Sequence, residues 1–324
     1  MIANMVQALN HALDLTMKQD ENVVLLGEDV GVDGGVFRVS DGLIQKYGQA
    51  RVIDTPLAES GIVGAAIGMA VYGLRPVAEI QFMGFVYPAF NQIVSHLSRM
   101  RNRSRGRFQL PVVLRMPYGA GVRALELHSE STEALFCHIP GLKVVVPSNP
   151  YDAKGLLIAA IRTDDPVIFL EPKRLYRAGR QEIPEEDYAI PLGSAKIVRE
   201  GERLTIICWG AMVAQVQKAA ERVEDDGIFP EIIDMRTVSP LDHETIIQSV
   251  KNTGRAIVVH EAPKTCGLGA EIAALINERA LLSLEAPVLR ITGQDIIVPL
   301  PKREDYYYPT PERIVRGIKK TMEF

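Results

Sequence analysis

Short runs of β-branched and aliphatic residues alternate along the chain with longer segments of helical periodicity. In the first half, six runs predict strands, at residues 23–26, 52–53, 76–80, 112–116, 143–146 and 167–170. Several of these runs are apolar on both faces, as strands covered by helices on each side must be. The alternation is typical of an α/β fold built around a parallel sheet.

A polar, acidic stretch with two prolines, residues 178–191, interrupts this pattern and predicts an interdomain linker. A second alternation follows, with strands predicted at 204–209, 231–235, 256–260 and 288–292 and helices at 211–224, 242–252 and 268–279. The chain has 324 residues, and domains average roughly 150 residues. We therefore expect a first domain over residues 1–185 and a smaller α/β domain over residues 186–324.

Composition excludes several classes of protein. The formal net charge is −4, so no global positive field favours nucleic acid or an anionic membrane. No window approaches the roughly 18 consecutive apolar residues of a spanning helix. The three cysteines, Cys137, Cys208 and Cys266, are scattered and fit free thiols in a reducing compartment. The sequence predicts a soluble cytoplasmic protein, although a mature organellar form would have the same features.

The segment DTPLAESG at 54–61 contains the first candidate for chemistry. Thr55 followed by Pro56 predicts a helix start, with a hydroxyl cap and a proline at the first helical position. Glu59 then lies in the first turn, where free N–H groups favour a carboxylate. Small residues at 61, 64, 65 and 68 would let another backbone approach the helix closely. Local sequence alone favours a structural role for Glu59.

Two further segments follow predicted strands. Gln81 and Phe85 lie in a run of aromatic residues where a strand ends, a place where α/β proteins form ligand crevices. Packing in the core is the simpler explanation of such aromatics, and local sequence alone favours it. His128 lies in a glycine-containing loop after the strand at 112–116. An imidazole there could act as an acid or base near neutral pH. The other five histidines lack this setting and are interpreted as surface or structural residues.

Five arginines occupy alternate positions from Arg99 to Arg107. Only Phe108 adjoins them and the chain as a whole is acidic, so nucleic-acid binding is not favoured. We expect this loop to contact an acidic neighbouring chain, with simple exposure to solvent as the alternative.

Common self-sufficient catalytic motifs are missing from the sequence. It has no G-x-x-x-x-G-K-[ST] phosphate loop, no G-x-S-x-G elbow and no metal-spaced His/Cys cluster.

Taken together, the segments resemble the beta subunits of the thiamine-diphosphate-dependent 2-oxo acid dehydrogenases. The resemblance runs from end to end of the chain. It is carried by LGEDV at 26–30, DTPLAESG at 54–61, IQF at 80–82, LHS at 127–129, PGLKVV at 140–145, YDAKGLL at 151–157, LEPK at 170–173, DMRT at 234–237, KNTGR at 251–255 and LEAP at 284–287.

The resemblance implies a pyrimidine-type thiamine-diphosphate-binding domain followed by a transketolase C-terminal-like domain. It also implies an α2β2 heterotetramer in which the alpha subunit holds the diphosphate and Mg²⁺. This sequence has neither the G-D-G nor the paired asparagines of that metal site. A lipoyl-bearing dihydrolipoyl acyltransferase core is the implied further partner, and a 2-oxo acid the implied substrate.

The resemblance also implies the roles of individual residues. Glu59 matches the glutamate that hydrogen-bonds the aminopyrimidine nitrogen N1′ of the cofactor. Leu57, Gln81 and Phe85 match positions around the same ring, with Phe85 stacking on it. His128 matches a histidine near the substrate carboxylate that acts as a proton donor when the lipoyl disulfide opens.

A structural potassium ion, held mainly by backbone carbonyls, is implied as well. The matching positions are Val112, Ala160, Ile161, Thr163 and Asp165. Thr163 and Asp165 stand where the family usually has an acid and an amide.

Substrate choice is weakly encoded. The segments at 116–119 and 148–151 favour a branched-chain 2-oxo acid, with pyruvate or acetoin dehydrogenase as the alternative. Two other classes of protein remain open, a one-chain thiamine enzyme and an assembly protein that has lost its chemistry. The missing diphosphate motif opposes the first, and the presence of Glu59, Phe85 and His128 opposes the second.

Overall fold

The computed structural model describes residues 1–324, apart from the side chain of Pro301. The strands are β1 Ile2–Ala3, β2 Val23–Gly27, β3 Val52–Asp54, β4 Arg75–Glu79, β5 Val113–Tyr118, β6 Lys143–Val145, β7 Val167–Pro172, β8 Gln181–Glu182, β9 Lys196–Arg199, β10 Thr205–Cys208, β11 Glu231–Asp234, β12 Thr237–Ser239, β13 Ala256–Val259 and β14 Leu289–Ile291.

The α-helices are α1 Met5–Gln19, α2 Leu43–Tyr47, α3 Glu59–Val71, α4 Phe90–Gln92, α5 Met100–Arg103, α6 Glu133–Cys137, α7 Pro150–Arg162, α8 Met212–Val223, α9 His243–Thr253, α10 Leu268–Ala280 and α11 Pro311–Met322. A π-helical turn, Ile93–Leu97, continues α4. The 3₁₀ turns are Met83–Phe85, Tyr87–Ala89, Glu126–His128, Lys173–Leu175, Glu224–Asp226, Leu281–Ser283 and Pro301–Tyr306.

The larger sheet has seven strands in the order β12-β6-β7-β5-β4-β2-β3. Its six strands from the first half are mutually parallel, and only β12 runs antiparallel, beside β6. Strands β2, β5 and β7 are buried along their whole length. Because helices cover both faces of such a sheet, its central strands have near-continuous apolar sequences. The predicted α/β fold is confirmed.

The smaller sheet has the order β14-β13-β10-β11-β9, parallel except for β9 at one edge. One hydrophobic core cluster includes residues of both sheets, among them Val144 of β6, Ile207 of β10 and Val258 of β13. The strand β12 lies late in the chain yet pairs with β6 of the larger sheet. The two halves therefore share both a sheet and a core.

The predicted linker, residues 178–191, contains β8, which pairs antiparallel with β1. Ile183 and Ile190 within it are buried. The segment 178–191 thus packs against the first half of the chain before the chain enters the second sheet. The division between residues 185 and 186 stays a prediction.

Helix boundaries follow local capping chemistry. Asn4 caps α1, since its side chain accepts a hydrogen bond from the Gln7 N–H at 2.9 Å. Asn149 and Thr310 cap α7 and α11, and a proline follows each cap at the first helical position. No helix among the described residues combines the length and the apolar character that crossing a membrane requires.

A buried ion network lies at the centre of the larger sheet. Arg115 of β5 donates to Glu171 of β7 at 2.7 and 2.9 Å and to Glu79 of β4 at 2.7 Å. Tyr176 adds a hydrogen bond to Glu171 at 2.6 Å. Burial raises the pKa of Glu79, and the Arg115 guanidinium opposes that rise. The network connects three adjacent strands directly beneath the loops that follow them.

We expect Arg115→Met to lower the free energy of unfolding by about 3–5 kcal/mol, because it leaves two buried carboxyls without their cation. Lys46→Met is the control, since Lys46 forms an exposed pair with Asp14 and such a pair contributes about 1 kcal/mol or less. Chemical denaturation of both variants measures the difference. Equal stability of the two would contradict a structural role for the network.

Candidate active site

Four loops leave the larger sheet at the same edge, because β3, β2, β4 and β5 are adjacent and parallel. They begin at Glu28, Thr55, Ile80 and Gly119. Crevices at the carboxyl ends of parallel strands are the usual ligand sites of α/β proteins.

Two carboxylates shape the first of these loops. The carboxylate of Asp54 accepts hydrogen bonds from the N–H groups of Gly31 at 2.6 Å and Val32 at 3.1 Å. Asp29 accepts a hydrogen bond from the Gln81 side-chain amide at 3.1 Å. These contacts tie together the loops after β2, β3 and β4.

The helix α3 begins at Glu59, and its cap position is Ala58. The predicted start with Thr55 as the cap and Pro56 at the first helical position is therefore wrong. The Thr55 N–H instead donates to the Gly27 carbonyl at 2.9 Å, which prolongs the strand pairing past β3. The later start still leaves Glu59 in the first turn, as predicted, where the free N–H groups favour its carboxylate.

Glu59 lies near a second carboxyl group. Glu28 is buried, and its pKa is raised by burial and by the charges of Glu59 and Asp29. Glu59 itself is only half-buried. Closely placed carboxyls that differ in environment are a common feature of sites that exchange protons.

Aromatic rings surround His128. Its imidazole centroid lies 4.4 Å from that of Phe82 and 5.0 Å from that of Phe85. Nδ1 of His128 is buried and has no hydrogen-bond partner among the described residues. The imidazole thus packs against two aromatic rings, and its Nδ1 is not hydrogen-bonded to the rest of the chain that the structure describes.

The turns that carry Phe85 and His128 touch through Gly84. A Cβ at this position would overlap the Leu127 carbonyl oxygen, so only glycine permits the contact. The hydroxyl of Ser60 in α3 also donates to the Pro88 carbonyl. These contacts connect the start of α3, the segment after β4 and the His128 turn.

Glu59, Gln81, Phe85 and His128 therefore lie on loops that share one edge and contact one another. Leu57 belongs to the same edge but is 79% exposed. Gly61, Ala65 and Gly68 form an exposed face of small residues on α3. An apolar side chain and a face of small residues both remain uncovered beside the site.

The five positions predicted to bind potassium gather near the start of β5 and the end of α7; they are Val112, Ala160, Ile161, Thr163 and Asp165. The carbonyls of Ile161 and Thr163 accept hydrogen bonds from Arg75 at 3.0 and 3.2 Å. A potassium ion on the same carbonyls would lie beside the Arg75 guanidinium, and the two cations would repel each other.

The Asp165 carboxylate accepts a hydrogen bond from Lys143 at 2.5 Å and another from Arg101. Its side chain is thus already paired with two cations, and Arg101 belongs to the predicted arginine run. The potassium site stays a prediction, with Arg75 as a competing cation.

Sequence reasoning missed several residues of this edge. Glu28 and Asp29 lie in the LGEDV segment, and they were found only as part of the resemblance. Phe82 directly precedes the turn of Phe85, and Lys173 Nζ lies 5.9 Å above its ring. One sequence pattern could have identified them: polar or aromatic residues follow closely after the strands β2, β3, β4 and β5. Among the remaining histidines, His260 is buried and stacked on Trp209, which confirms a structural setting for it.

Comparisons with known proteins agree with this geometry. A family model described as "Transketolase, pyrimidine binding domain" matches residues 3–179, and one described as "Transketolase, C-terminal domain" matches residues 193–314. The chain is 57% identical to "Pyruvate dehydrogenase E1 component subunit beta" of Acholeplasma laidlawii over 319 residues, or 98% of each chain. The protein of the same name from Bacillus subtilis is 54% identical over 320 residues, covering 99% of this chain and 98% of the relative.

The chain belongs to the beta-subunit family of the thiamine-diphosphate-dependent 2-oxo acid dehydrogenases. Among solved structures, "Split gene transketolase, inactive beta4 tetramer" superposes on this beta subunit with a TM-score of 0.81 at 24% identity. The match covers 99% of this chain and 98% of that one. At this identity the likeness concerns the fold alone.

We expect Gly84→Ala to lower the free energy of unfolding of this beta subunit by about 1–3 kcal/mol, because the added methyl group overpacks the contact between two turns. Gly64→Ala is the matched control. A Cβ there meets no atom within 4 Å, and alanine favours a helix by about 1 kcal/mol over glycine. Thermal unfolding of the isolated chain measures both, and an unperturbed Gly84→Ala variant would show that the two turns do not need their close approach.

Proposed function

We propose that this chain is the beta subunit of a pyruvate dehydrogenase decarboxylating component. It acts with an alpha subunit to decarboxylate pyruvate oxidatively and to acylate lipoyl groups. The observation that carries the proposal is the grouping of Glu59, Phe85 and His128 on contacting loops at one edge of a parallel sheet. The names of the similar proteins from Acholeplasma laidlawii and Bacillus subtilis support the choice of reaction.

The donor set fits the pyrimidine end of thiamine diphosphate. A half-buried carboxyl at a helix start, an aromatic ring and a largely exposed leucine provide the polar and apolar contacts that a flat heteroaromatic ring requires. The imidazole of His128, beside Phe85, is a further polar group nearby. Glu59, Leu57, Gln81 and Phe85 would hold this part of the cofactor. When bound, the cofactor supplies the electron sink that 2-oxo acid decarboxylation requires.

Glu59 would hold and release a proton at ring nitrogen N1′. A carboxyl is suited to this role because it can both donate and accept a proton, whereas an amide cannot. The neighbouring Glu28 supports this role, since burial and the charge of Glu59 raise the pKa of Glu28 and show that the two carboxyls lie close together. Gln81 would act indirectly as well, by holding Asp29 and with it the loop after β2.

Phe85 would present its ring to the pyrimidine and keep water from it. His128 would bind the carboxylate end of the substrate and donate a proton when the lipoyl disulfide opens. Its packing against Phe82 and Phe85 limits the room in which the imidazole can turn, and such preorganisation contributes to catalytic rate.

An alpha subunit would bind the diphosphate and Mg²⁺ and complete an α2β2 heterotetramer. The exposed face of Gly61, Ala65 and Gly68, together with exposed Leu57, supports a closely packed partner beside the site. The lipoyl group would be carried by a dihydrolipoyl acyltransferase core.

The expectation of a branched-chain substrate is not supported by the similar proteins, and the alternative of pyruvate fits them better. The protein from Staphylococcus aureus, 51% identical over 320 residues, has the same pyruvate dehydrogenase name. The two short segments behind the earlier expectation lie at the end of β5 and the start of α7. Neither adjoins Glu59 in sequence.

We expect Glu59→Gln to lower 2-oxo acid decarboxylation by the reconstituted complex by about 10²-fold or more, because the amide cannot exchange a proton. Turnover of pyruvate and sedimentation of the complex are measured together. Asp33→Asn, in the loop after β2, serves as the control for a generic loss of charge. Wild-type turnover by an assembled Glu59→Gln complex would refute the proposed role of Glu59 in proton exchange.

We expect the complex to prefer pyruvate to 2-oxoisovalerate by at least about tenfold in kcat/KM, since even small apolar differences in a pocket change this ratio by 10–200-fold. Steady-state rates with both 2-oxo acids, using the same enzyme and the same lipoyl domain, give the ratio. A ratio of kcat/KM for pyruvate to that for 2-oxoisovalerate below one would favour a branched-chain substrate. It would not change the family to which the chain belongs.

A further inference from the structure

The loop that leads to His128 is held by side chains from the far end of the chain. Residues 119–125 lie between β5 and the 3₁₀ turn Glu126–His128 and form neither helix nor strand. The Ala120 N–H donates to the Glu261 carboxylate at 3.1 Å, and the Gly121 N–H donates to the Glu304 carboxylate at 2.6 Å. We refer to Glu261 and Glu304 as the carboxylate pair.

The carboxylate pair is deeply buried. Glu261 follows β13 and is 1% exposed, and Glu304 lies in the turn Pro301–Tyr306 and is 0% exposed. Bringing a carboxylate into the interior is unfavourable unless cations and hydrogen-bond donors compensate it. The compensating donors here include two consecutive backbone N–H groups of a loop, and hydrogen bonds to charged acceptors are about twice as strong as neutral ones.

Lys173 holds the same loop through a backbone carbonyl. Its ammonium group donates to the Gly119 carbonyl and is almost completely buried. Burial lowers the pKa of Lys173 to about 8, an effect that Glu261 and Glu304 oppose. Three successive residues of the loop thus each have one backbone group bound to a buried charged side chain.

Glycine makes this arrangement possible at two of those positions. Gly119 has φ +85° and Gly121 has φ +103°. A Cβ would overlap Glu261 at the first position and Arg174 at the second. The loop therefore approaches the charged side chains more closely than any other residue type would permit.

The other end of the loop meets the candidate active site. The Leu127 carbonyl packs on Gly84. The Glu130 carbonyl accepts a hydrogen bond from the Gly119 N–H at 2.9 Å, which closes the loop, and the Glu130 side chain accepts one from Tyr87. Exposed side chains occupy most positions between these anchors. The path of the chain into His128 is thus set at its start by the carboxylate pair.

Resting on the function proposed above, we propose that Glu261 and Glu304 are positioning residues for His128. Each acts through the backbone of residues 119–121 and contacts neither cofactor nor substrate in this role. The second half of the chain would thereby take part in the catalytic site, because it fixes the loop on which the imidazole depends. A small displacement of a catalytic group can lower a rate by about 10²-fold, so the hydrogen bonds to Ala120 and Gly121 are sufficient to affect activity.

The test compares Glu304→Ala, Glu304→Gln and Asp305→Ala in the reconstituted complex. We expect Glu304→Ala to lower acylation of a free lipoyl domain by about tenfold. Decarboxylation of pyruvate with an artificial electron acceptor should fall less, by about threefold or less, because it needs His128 only for binding the substrate carboxylate and not for the proton that opens the lipoyl disulfide. Glu304→Gln keeps an acceptor oxygen for the Gly121 N–H and should recover most of the acylation rate.

Asp305→Ala is the matched control from the adjacent position. Asp305 contacts the same loop through Arg123 at 2.9 Å, but both side chains are more than half exposed. An exposed pair of this kind contributes little. Its removal should leave lipoyl acylation unchanged.

Hydrogen exchange of the isolated chain gives a second, independent measurement. Residues 119–128 should exchange faster in Glu304→Ala than in the wild type, and at an intermediate rate in Glu304→Gln, whose neutral oxygen still accepts from the Gly121 N–H but binds it more weakly than a carboxylate. In both variants β10 of the second sheet should remain protected. If Glu304→Ala does not fold, Glu304→Gln provides this measurement. A folded Glu304→Ala variant with wild-type acylation and wild-type exchange in 119–128 would overturn the inference. An inactive wild-type complex, or a fully active His128→Ala variant, would instead refute the proposed function. In that case the hydrogen-exchange measurement alone tests whether Glu304 holds the loop.

Discussion

The adjacency of four parallel strands is the constraint on which the rest of this structure depends. Because β3, β2, β4 and β5 run side by side in the same direction, the loops that follow them open at one edge of the sheet. The buried Arg115 joins the last two of these strands to β7 through Glu79 and Glu171. The loops that follow these strands thereby bring a carboxyl, aromatic rings and an imidazole together. Apart from single helical turns, these loops have little regular secondary structure.

The same geometry explains why the candidate site is open on one side. Leu57 is largely exposed beside it, and the adjoining face of α3 consists of small, exposed residues. These features suit contact with another polypeptide and do not stabilise the chain by themselves. The proposed division of labour follows, with the pyrimidine end of the cofactor on this chain and the diphosphate and magnesium on a partner. The second half of the chain contributes differently, since Glu261 and Glu304 accept hydrogen bonds from the loop that leads to His128 in the same chain.

Much of this could be predicted from sequence, because apolar periodicity is local information. The ten predicted strand runs and the three predicted helices of the second half lie within a few residues of the observed bounds, whereas α11, β9 and β12 were not predicted. Glu59 and His128 emerged from the resemblance. The start of α3 was misplaced because a backbone hydrogen bond from Thr55 to Gly27 overrides local capping preference. The contacts of Glu261 and Glu304 join residues 141 and 183 positions apart, so no local pattern reveals them. The pairing of β12 with β6 could not be predicted either, because it also joins residues that are far apart in sequence.

The central claim is that this chain provides half of a thiamine-diphosphate site. Isothermal titration of thiamine diphosphate and magnesium into the purified chain, and into its mixture with the alpha subunit, tests it most directly, with carbon dioxide release from pyruvate followed in parallel. We expect weak or absent binding and no carbon dioxide with the chain alone, and tight binding with turnover in the mixture. Tight binding and sustained turnover by the isolated chain would contradict it.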